Sequence, residues 1–354
     1  MKNCNIIYEG KKAMKKRFPA FLLFAVLLLA SVLPLFSCGG GRVLKKEVYG
    51  RFDTVCTLYD YSGDGDFDKK AALFVSLLAE YDAHFDIYGE GSPGTIAYLN
   101  HMAGQGRVSV LPDVEGLLRF GTEVFDMTRG AVNIALGAVT SLWHDARYAD
   151  TPYLPSETDI SEAMRHCSMD NLSLPGDGTA AILDAAMSLD VGAIAKGYAA
   201  ELIAGKMESA GYTSLVIDLG GNLRAIGTKP GGAGFETGIK NPLGSGYSAR
   251  LTLSDDAVAT SGAYERKLTV DGREYGHITD PVTGYPADNF ASVSVTSPDA
   301  GMADALSTAL FILSYDDGVA LLSSLARHGV SGAPTYAVWV MKDGSVRKIA
   351  PPAQ

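Results

Sequence analysis

Cysteine is scarce, with four in 354 residues, and neither a CxxC spacing nor a cysteine–histidine cluster occurs, so nothing argues for a thiolate zinc site. Basic residues are outnumbered, 30 against 40 acidic, for a formal net charge of -10. A general electrostatic grip on nucleic acid is therefore excluded, and a nucleotide ligand needs a local site. Charged residues make up only 20% of the chain and hydrophobic ones 47%, which suits one large domain or two smaller ones with a sizeable core and rules out a disordered protein. No internal repeat occurs. Neither a G-x4-G-K-[ST] phosphate loop nor a G-x-S-x-G elbow around Ser261 is present, which sets aside Walker-type nucleotide hydrolysis and the hydrolase nucleophile.

What is present begins with a basic cluster, Lys11, Lys12, Lys15, Lys16 and Arg17, ahead of an apolar run from Phe18 to Phe36. This pattern predicts an export signal over residues 1–37. Leu35-Phe36-Ser37-Cys38 resembles a bacterial lipobox, with Phe36 bulkier than the usual occupant, and makes Cys38 the expected lipidation site and mature amino terminus. An uncleaved anchor is the alternative, since the run approaches the roughly 20 residues needed to span a bilayer. Either way the folded part is expected outside the cytoplasm, held at the cell membrane. Met14 is an alternative start to Met1 that would put the basic cluster at the terminus. Of the two cysteines left for the exported body, Cys56 and Cys167 can pair or stay free, because a disulfide depends on spatial approach.

Gly39-Gly40-Gly41 marks residues 38–46 as a tether, and the folded domain is expected over 47–350, starting near Lys46. Alternation predicts a strand around Val48 to Tyr59, and apolar stripes predict helices over 68–84 and 113–128, with a loop at 91–94. Ala146 to Asp177 is polar and proline-punctuated and reads as a long surface excursion bordering a ligand site. A strand at Ala180 to Leu183 is followed by a turn, a helix ended by Gly211, the strand LVIDL and the turn Gly220-Gly221-Asn222. Further short strands are expected at 223–228, 237–240, 249–253, 267–270, 291–296 and 336–341. Short strands outnumber helices, so the fold class is α+β, with mixed or antiparallel sheets flanked by helices.

Three segments carry chemistry. In SPDAGMADALSTALFIL, Ser297 and Pro298 suit a helix start, and Ala303, Leu306, Leu310 and Leu313 recur at core spacing. Asp304 and Thr308 then share another face, one turn apart. They offer two hard oxygen ligands for magnesium, although such a pair alone is ordinary on a solvated helix. The turn from Asp190 to Tyr198 is rich in small residues and opens a helix, where unpaired amides and Lys196 favour phosphate. His277 and Asp280, three apart before Pro281, offer a general base and a partner that orients or assists it. Thr260-Ser261-Gly262 reads as a turn whose hydroxyls and amides face a ligand.

In order along the chain, DVGAIAKGYA, VIDLGGNLRAIG, AVATSGAYER, HITDPVTGYP and ADALSTAL resemble the motifs of the ApbE family of flavin transferases, with weaker echoes in FDIYGEGSPGTIAYLN and GAVNIALGAVTSLW. The resemblance covers most of residues 47–325 and implies an ApbE-like, T-fold-like architecture. It further implies magnesium-dependent transfer of FMN from FAD to a Thr or Ser hydroxyl of an exported acceptor flavoprotein, with release of AMP. By match to those motifs, Asp304, Thr308 and the backbone oxygen of Ala193 hold the metal, and Asp190 and Lys196 contact FAD. Phe52, Tyr88, Ala131, Val132, Asn133, His277 and Ile278 line the rest of the flavin site. Family members are exported, often as lipoproteins, which agrees with Cys38. The acceptor suggested is a membrane redox-complex subunit with a Thr in a small-residue motif. Asn133 stands where the family commonly has Asp, Asn222 where an acid is frequent, and Phe52 where Met is common. FAD hydrolysis to FMN and AMP, and plain flavin storage without chemistry, are the competing readings.

Overall fold

The computed structural model describes residues 43–262, 264 and 266–350. The expected export signal, Cys38, the choice between Met1 and Met14 and most of the expected tether lie outside the described residues. Among those described, no helix is long and apolar enough to cross a membrane.

The chain opens with β1 (Leu44–Arg51) and β2 (Thr54–Asp60), then α1 (Phe67–Phe85), α2 (Ile96–His101), β3 (Val108–Ser109), α3 (Pro112–Met127), α4 (Gly137–Tyr148) and α5 (Glu157–Met164). Next come β4 (Leu172–Ser173), β5 (Thr179–Ile182), α6 (Ala195–Ser209), β6 (Leu215–Leu219), β7 (Asn222–Ile226), β8 (Phe235–Lys240) and β9 (Tyr247–Leu253). The last third holds β10 (Ala257–Gly262), β11 (Leu268–Val270), β12 (Arg273–Tyr275), β13 (Ser292–Ser297), α7 (Ala300–Ile312), α8 (Tyr315–Arg327), β14 (Tyr336–Val340) and β15 (Val346–Ile349).

Eight strands form one sheet in the order β1-β2-β6-β7-β10-β13-β14-β15, every neighbouring pair antiparallel. Strand alternation sorts β6: Leu215, Ile217 and Leu219 enter the main core with Phe74, Leu78, Ile203, Leu306 and Trp339, whereas Val216 joins Phe235 and Leu253 of the β8–β9 hairpin in a second cluster. The antiparallel α+β expectation therefore holds, with helices against one face and a hairpin against the other.

Helix α7 explains the depth of the site it carries. Residues 300–311 are all buried, and its small side chains, among them Gly301, Ala303, Ala305 and Ala309, let neighbouring backbones come close. An all-round buried helix of this kind has no solvated face. Asp304 and Thr308 are thus interior residues, 5% and 8% exposed, contrary to the surface pair that their spacing also allowed. The helix is capped by Asp299, whose carboxylate accepts from Met302 N, while Ser297 turns its hydroxyl to Gly332 O and Leu313 is the C-cap.

Other expectations need correction. The strand predicted over Val48 to Tyr59 is a hairpin, because Phe52 (φ 49°) and Asp53 (φ 52°) take the left-handed conformation of a two-residue turn. The first strand among the described residues begins at Leu44, inside the expected tether. The excursion from 146 to 177 contains α5, whose Ile160 is buried with Trp143 and Cys167, a single apolar anchor too sparse to show as periodicity. Thr260-Ser261-Gly262 is the end of strand β10, not a turn. Helix α2 was not foreseen because six residues are too few for a periodic stripe. Cys56 and Cys167 are free and buried, and burial pushes their thiols up to about 12 and about 11.

Asp218 sits in β6, accepting from Gly221 N at 2.7 Å, and burial raises its pKa to about 6. A carboxyl with a raised native pKa holds its proton more tightly folded than unfolded, so stability falls as pH rises from about 4 through about 6 and is level above. Asp218→Asn keeps the acceptor and removes the charge. Urea denaturation is expected to show the variant more stable at pH 7.5 by up to about 3 kcal/mol, with the difference vanishing near pH 4.

Candidate active site

The site is built where α6 crosses α7. A β-carbon at Gly197 would collide with the carbonyl of Ala300 and with Asp304 Cβ, so glycine alone allows this approach. At the crossing the Gly197 amide donates to Asp304 Oδ2 at 2.8 Å. In a regular helix that amide would bond the carbonyl four residues back, which is Ala193. Among the described residues the Ala193 oxygen accepts no backbone amide, whereas its neighbours Val191 and Ile194 do. The diverted amide leaves a free carbonyl beside a buried carboxylate.

Thr308 lies one turn beyond Asp304. Its hydroxyl is 3.1 Å from Ser261 Oγ, which is also 2.9 Å from Ser307 Oγ, and Ser307 in turn donates to Asp304 O. Strand β10 thus fixes the Thr308 rotamer through a hydroxyl chain. Burial raises the pKa of Asp304, opposed by Lys196, the Gly197 amide and the Asn222 side chain. Asn222 approaches without completing a hydrogen bond, and its Nδ2 is buried and unpartnered. An all-oxygen set of carbonyl, carboxylate and hydroxyl, with an orphaned amide alongside, fits a small hard divalent cation.

The turn from Asp190 to Lys196 joins this corner to a second one. Asp190 N donates to Ile134 O at 2.8 Å, and its carboxylate accepts from Gly192 N. Lys196 leans back on Gly192 O at 3.4 Å, leaving its charge beside Asp304. Tyr88, half exposed, stands across from Asp190: burial first, then the charges of Asp190 and Asp53, push its pKa up to about 12. The Phe52–Asp53 turn is thereby brought to the same place, held by Phe52 N and Arg51 on the two oxygens of Asp82 at 2.6 and 2.9 Å. Two non-glycine residues in the left-handed region, clamped by a carboxylate, are strained backbone beside Tyr88.

Ala131 and Val132 are 7% and 2% exposed and belong to the main core, which leaves backbone as the contact surface of that stretch. Asn133 uses both ends of its amide, accepting from Ala135 N at 2.8 Å and donating to Cys167 O at 2.9 Å. The second bond needs a donor, which an Asp at this position would lack.

His277 is half-buried in a tight hairpin in which Ala287 N bonds Ile278 O and Thr279 bridges Pro286. Asp280 closes its end, with Oδ1 accepting from Val282 N and Oδ2 from Thr283 Oγ1. Trp143 Nε1 donates to Gly284 O at 2.8 Å, and Gly284 (φ 74°) lies against Ile160 and Met164, so α5 packs against this hairpin. The structure thus gathers Ala193, Lys196, Asp304 and Thr308 at one corner and Asp53, Tyr88 and Asp190 at the other. Ser261, expected to face a ligand, instead bonds Thr308, and Gly197, expected only as a small residue of the turn, donates to Asp304. The i−4 mismatch at Gly197 depends on a tertiary contact that sequence does not display.

The ApbE family's sequence profile matches residues 52–331. The FAD:protein FMN transferase of Treponema pallidum is 34% identical over 316 residues, covering 82% of this chain and 86% of its own length. The enzyme of the same name from Klebsiella pneumoniae is 32% identical over 228 residues, 63% and 70% of the two chains. Among solved structures, the ApbE protein of Thermotoga maritima superposes with a TM-score of 0.78 at 26% identity, covering 87% of this chain and 97% of that one. The flavin transferase ApbE of Vibrio cholerae shares the fold, with a TM-score of 0.75 at 22% identity. With its motifs in order, its sheet and its oxygen-lined helix crossing in place, the chain belongs to the ApbE family.

Proposed function

We propose that this protein is an FAD:protein FMN transferase that moves FMN from FAD to a Thr or Ser hydroxyl of an exported acceptor, releasing AMP. One observation carries the reading: the Gly197 amide abandons Ala193 O for Asp304 Oδ2, which leaves the Ala193 carbonyl free beside a buried carboxylate one helical turn from Thr308. Ala193 O, Asp304 and Thr308 would hold Mg2+. When bound, such an ion withdraws charge from a diphosphate and favours in-line displacement.

The protein's own groups do the rest. Lys196 supplies positive charge to the diphosphate, and the turn at Asp190 to Ala193 places its backbone against it. Tyr88 stacks on a ring system, with Phe52, Ala131, Val132, Asn133 and Ile278 as its walls. His277 accepts the proton of the attacking hydroxyl while Asp280 fixes the hairpin that presents it. A P–O bond forms between the acceptor oxygen and the FMN phosphorus, the P–O–P bridge breaks, and AMP carries away the bonding pair.

The reading extends to location. Cys38 would tether the mature protein by lipid to the cell membrane, facing the periplasm or exterior, where a redox-complex subunit with a Thr in a small-residue motif is the acceptor.

Intact-mass spectrometry of an acceptor incubated with protein, FAD and Mg2+ is expected to show addition of FMN on Thr or Ser. In the same assay His277→Ala should lower transfer by about 100- to 10,000-fold while FAD affinity barely moves. Equal loss of binding and transfer would remove the base from the scheme, and rapid AMP and FMN release without acceptor would favour hydrolysis.

A further inference from the structure

Arg147, in the last turn of α4, is a cation without a counter-ion among the described residues. Its Nε is buried and has no hydrogen-bond partner, and its Nη2 reaches only Gly276 O, at a long 3.5 Å. Among the described residues no carboxylate forms an ion pair with it. Buried Arg224 shows the usual arrangement, met by Glu201, Glu208 and Asp255. Burial lowers the pKa of Arg147, Tyr148 opposes this and Arg266 adds to it, so the surroundings include a second positive charge rather than a neutralising one. Leaving a guanidinium partly desolvated and unpaired is unfavourable, and persists only where something else gains from it.

The neighbours show what gains. On the same helix His144 lies against Tyr88 with ring centroids 5.1 Å apart and against Tyr148 at 4.8 Å, making a short ledge of rings. Both tyrosines keep half or more of their surface exposed. The residue after Gly276 is His277. A planar ligand stacked on Tyr88 would therefore meet a fork of N–H donors at its edge.

We propose that Arg147 is a specificity-determining residue for the flavin ring, donating from its guanidinium to the carbonyl-bearing edge of the isoalloxazine while Tyr88 stacks on its face. The proposal rests on the transferase reading for the presence of a flavin. It separates recognition of the ring, by α4, from recognition of the diphosphate, by Lys196 and the α6–α7 crossing.

The test compares the exported protein with Arg147→Met, which keeps the apolar stem, and Arg147→Lys, which keeps the charge without the fork. Riboflavin and FAD binding are followed by flavin fluorescence, ADP binding by calorimetry, and ligand-free stability by thermal melting. Arg147→Met is expected to weaken riboflavin and FAD by the same factor, about ten-fold or more, with Arg147→Lys recovering little and ADP unchanged. The ligand-free melting temperature should not fall, since the lost group makes only the one long bond to Gly276 O. Unchanged riboflavin affinity overturns the proposal, as does an ADP loss matching that of FAD, which would put Arg147 on a phosphate. A drop in ligand-free stability would make it a staple between α4 and Gly276 and overturn it too. Wild-type protein that binds neither flavin would sink the transferase reading itself, a result distinct from wild-type binding that the variants leave intact.

Discussion

Asp304→Ala is expected to reduce FMN transfer by at least about 1,000-fold, because losing the buried carboxylate of the proposed cation site removes several kcal/mol of charge stabilisation from the diphosphate displacement. Asp304→Asn sharpens the case. The amide oxygen can still accept from Gly197 N, so the α6–α7 crossing keeps its 2.8 Å bond while the negative charge is gone. Asp304→Asn should melt at or above the wild-type temperature in EDTA, since a desolvated charge no longer has to be accommodated while the bond from Gly197 N is kept. Only the wild type should gain stability on adding Mg2+ with FAD. Melting curves with and without Mg2+, alongside the intact-mass assay, separate loss of cation from loss of fold. A variant that retains both transfer and the Mg2+-dependent shift would remove Asp304 from the site.

Lys70→Met is expected to give the largest loss of stability. The Lys70 ammonium is fully buried, bonded to Asp60 at 3.0 Å, to Ser62 at 2.6 Å and to both oxygens of Asp64. The two carboxylates differ: Asp60 is 2% exposed at its side chain and Asp64 46% exposed. Asp64 can turn to water if its partner is lost, but Asp60 cannot. Removing the amine therefore strands a buried charge at the end of β2, at a cost of about 3–5 kcal/mol. For a domain of this size that lowers Tm by about 5–15 °C. Adding Asp60→Asn to Lys70→Met should recover much of it, which thermal denaturation of the single and double variants measures. A single variant as stable as wild type would show that the ammonium is solvated in solution.

Much of the strand pattern, α1, α3 and α6 were legible because each has a face to bury and turn chemistry at its ends. Gly220 and Gly221, both left-handed, mark the β6–β7 hairpin as plainly in sequence as in space. The β1–β2 hairpin was hidden because Phe52 and Asp53 hold the same backbone without glycine, through tertiary bonds to Asp82. Around the cation corner, Asp304 and Thr308 were readable as an i, i+4 pair, but their burial was not, since a helix packed on every side has no polar face for periodicity to reveal. In sequence Ser261 reads as part of a turn, because Thr-Ser-Gly is a common turn composition. In the fold it is strand, and the pairing of β10 with β13 turns its hydroxyl onto Thr308. Arg147 carried no signal at all, as an unpaired arginine becomes conspicuous only after its neighbours are placed.

The most direct measurement is anomalous diffraction from crystals of the folded domain grown with FAD and Mn2+ in place of Mg2+. The account predicts a single strong manganese peak about 2.0–2.3 Å from Ala193 O, an Asp304 carboxylate oxygen and Thr308 Oγ1, in contact with a diphosphate oxygen of FAD. A bound dinucleotide whose manganese peak lies elsewhere, with those three oxygens contacting no metal, would contradict it.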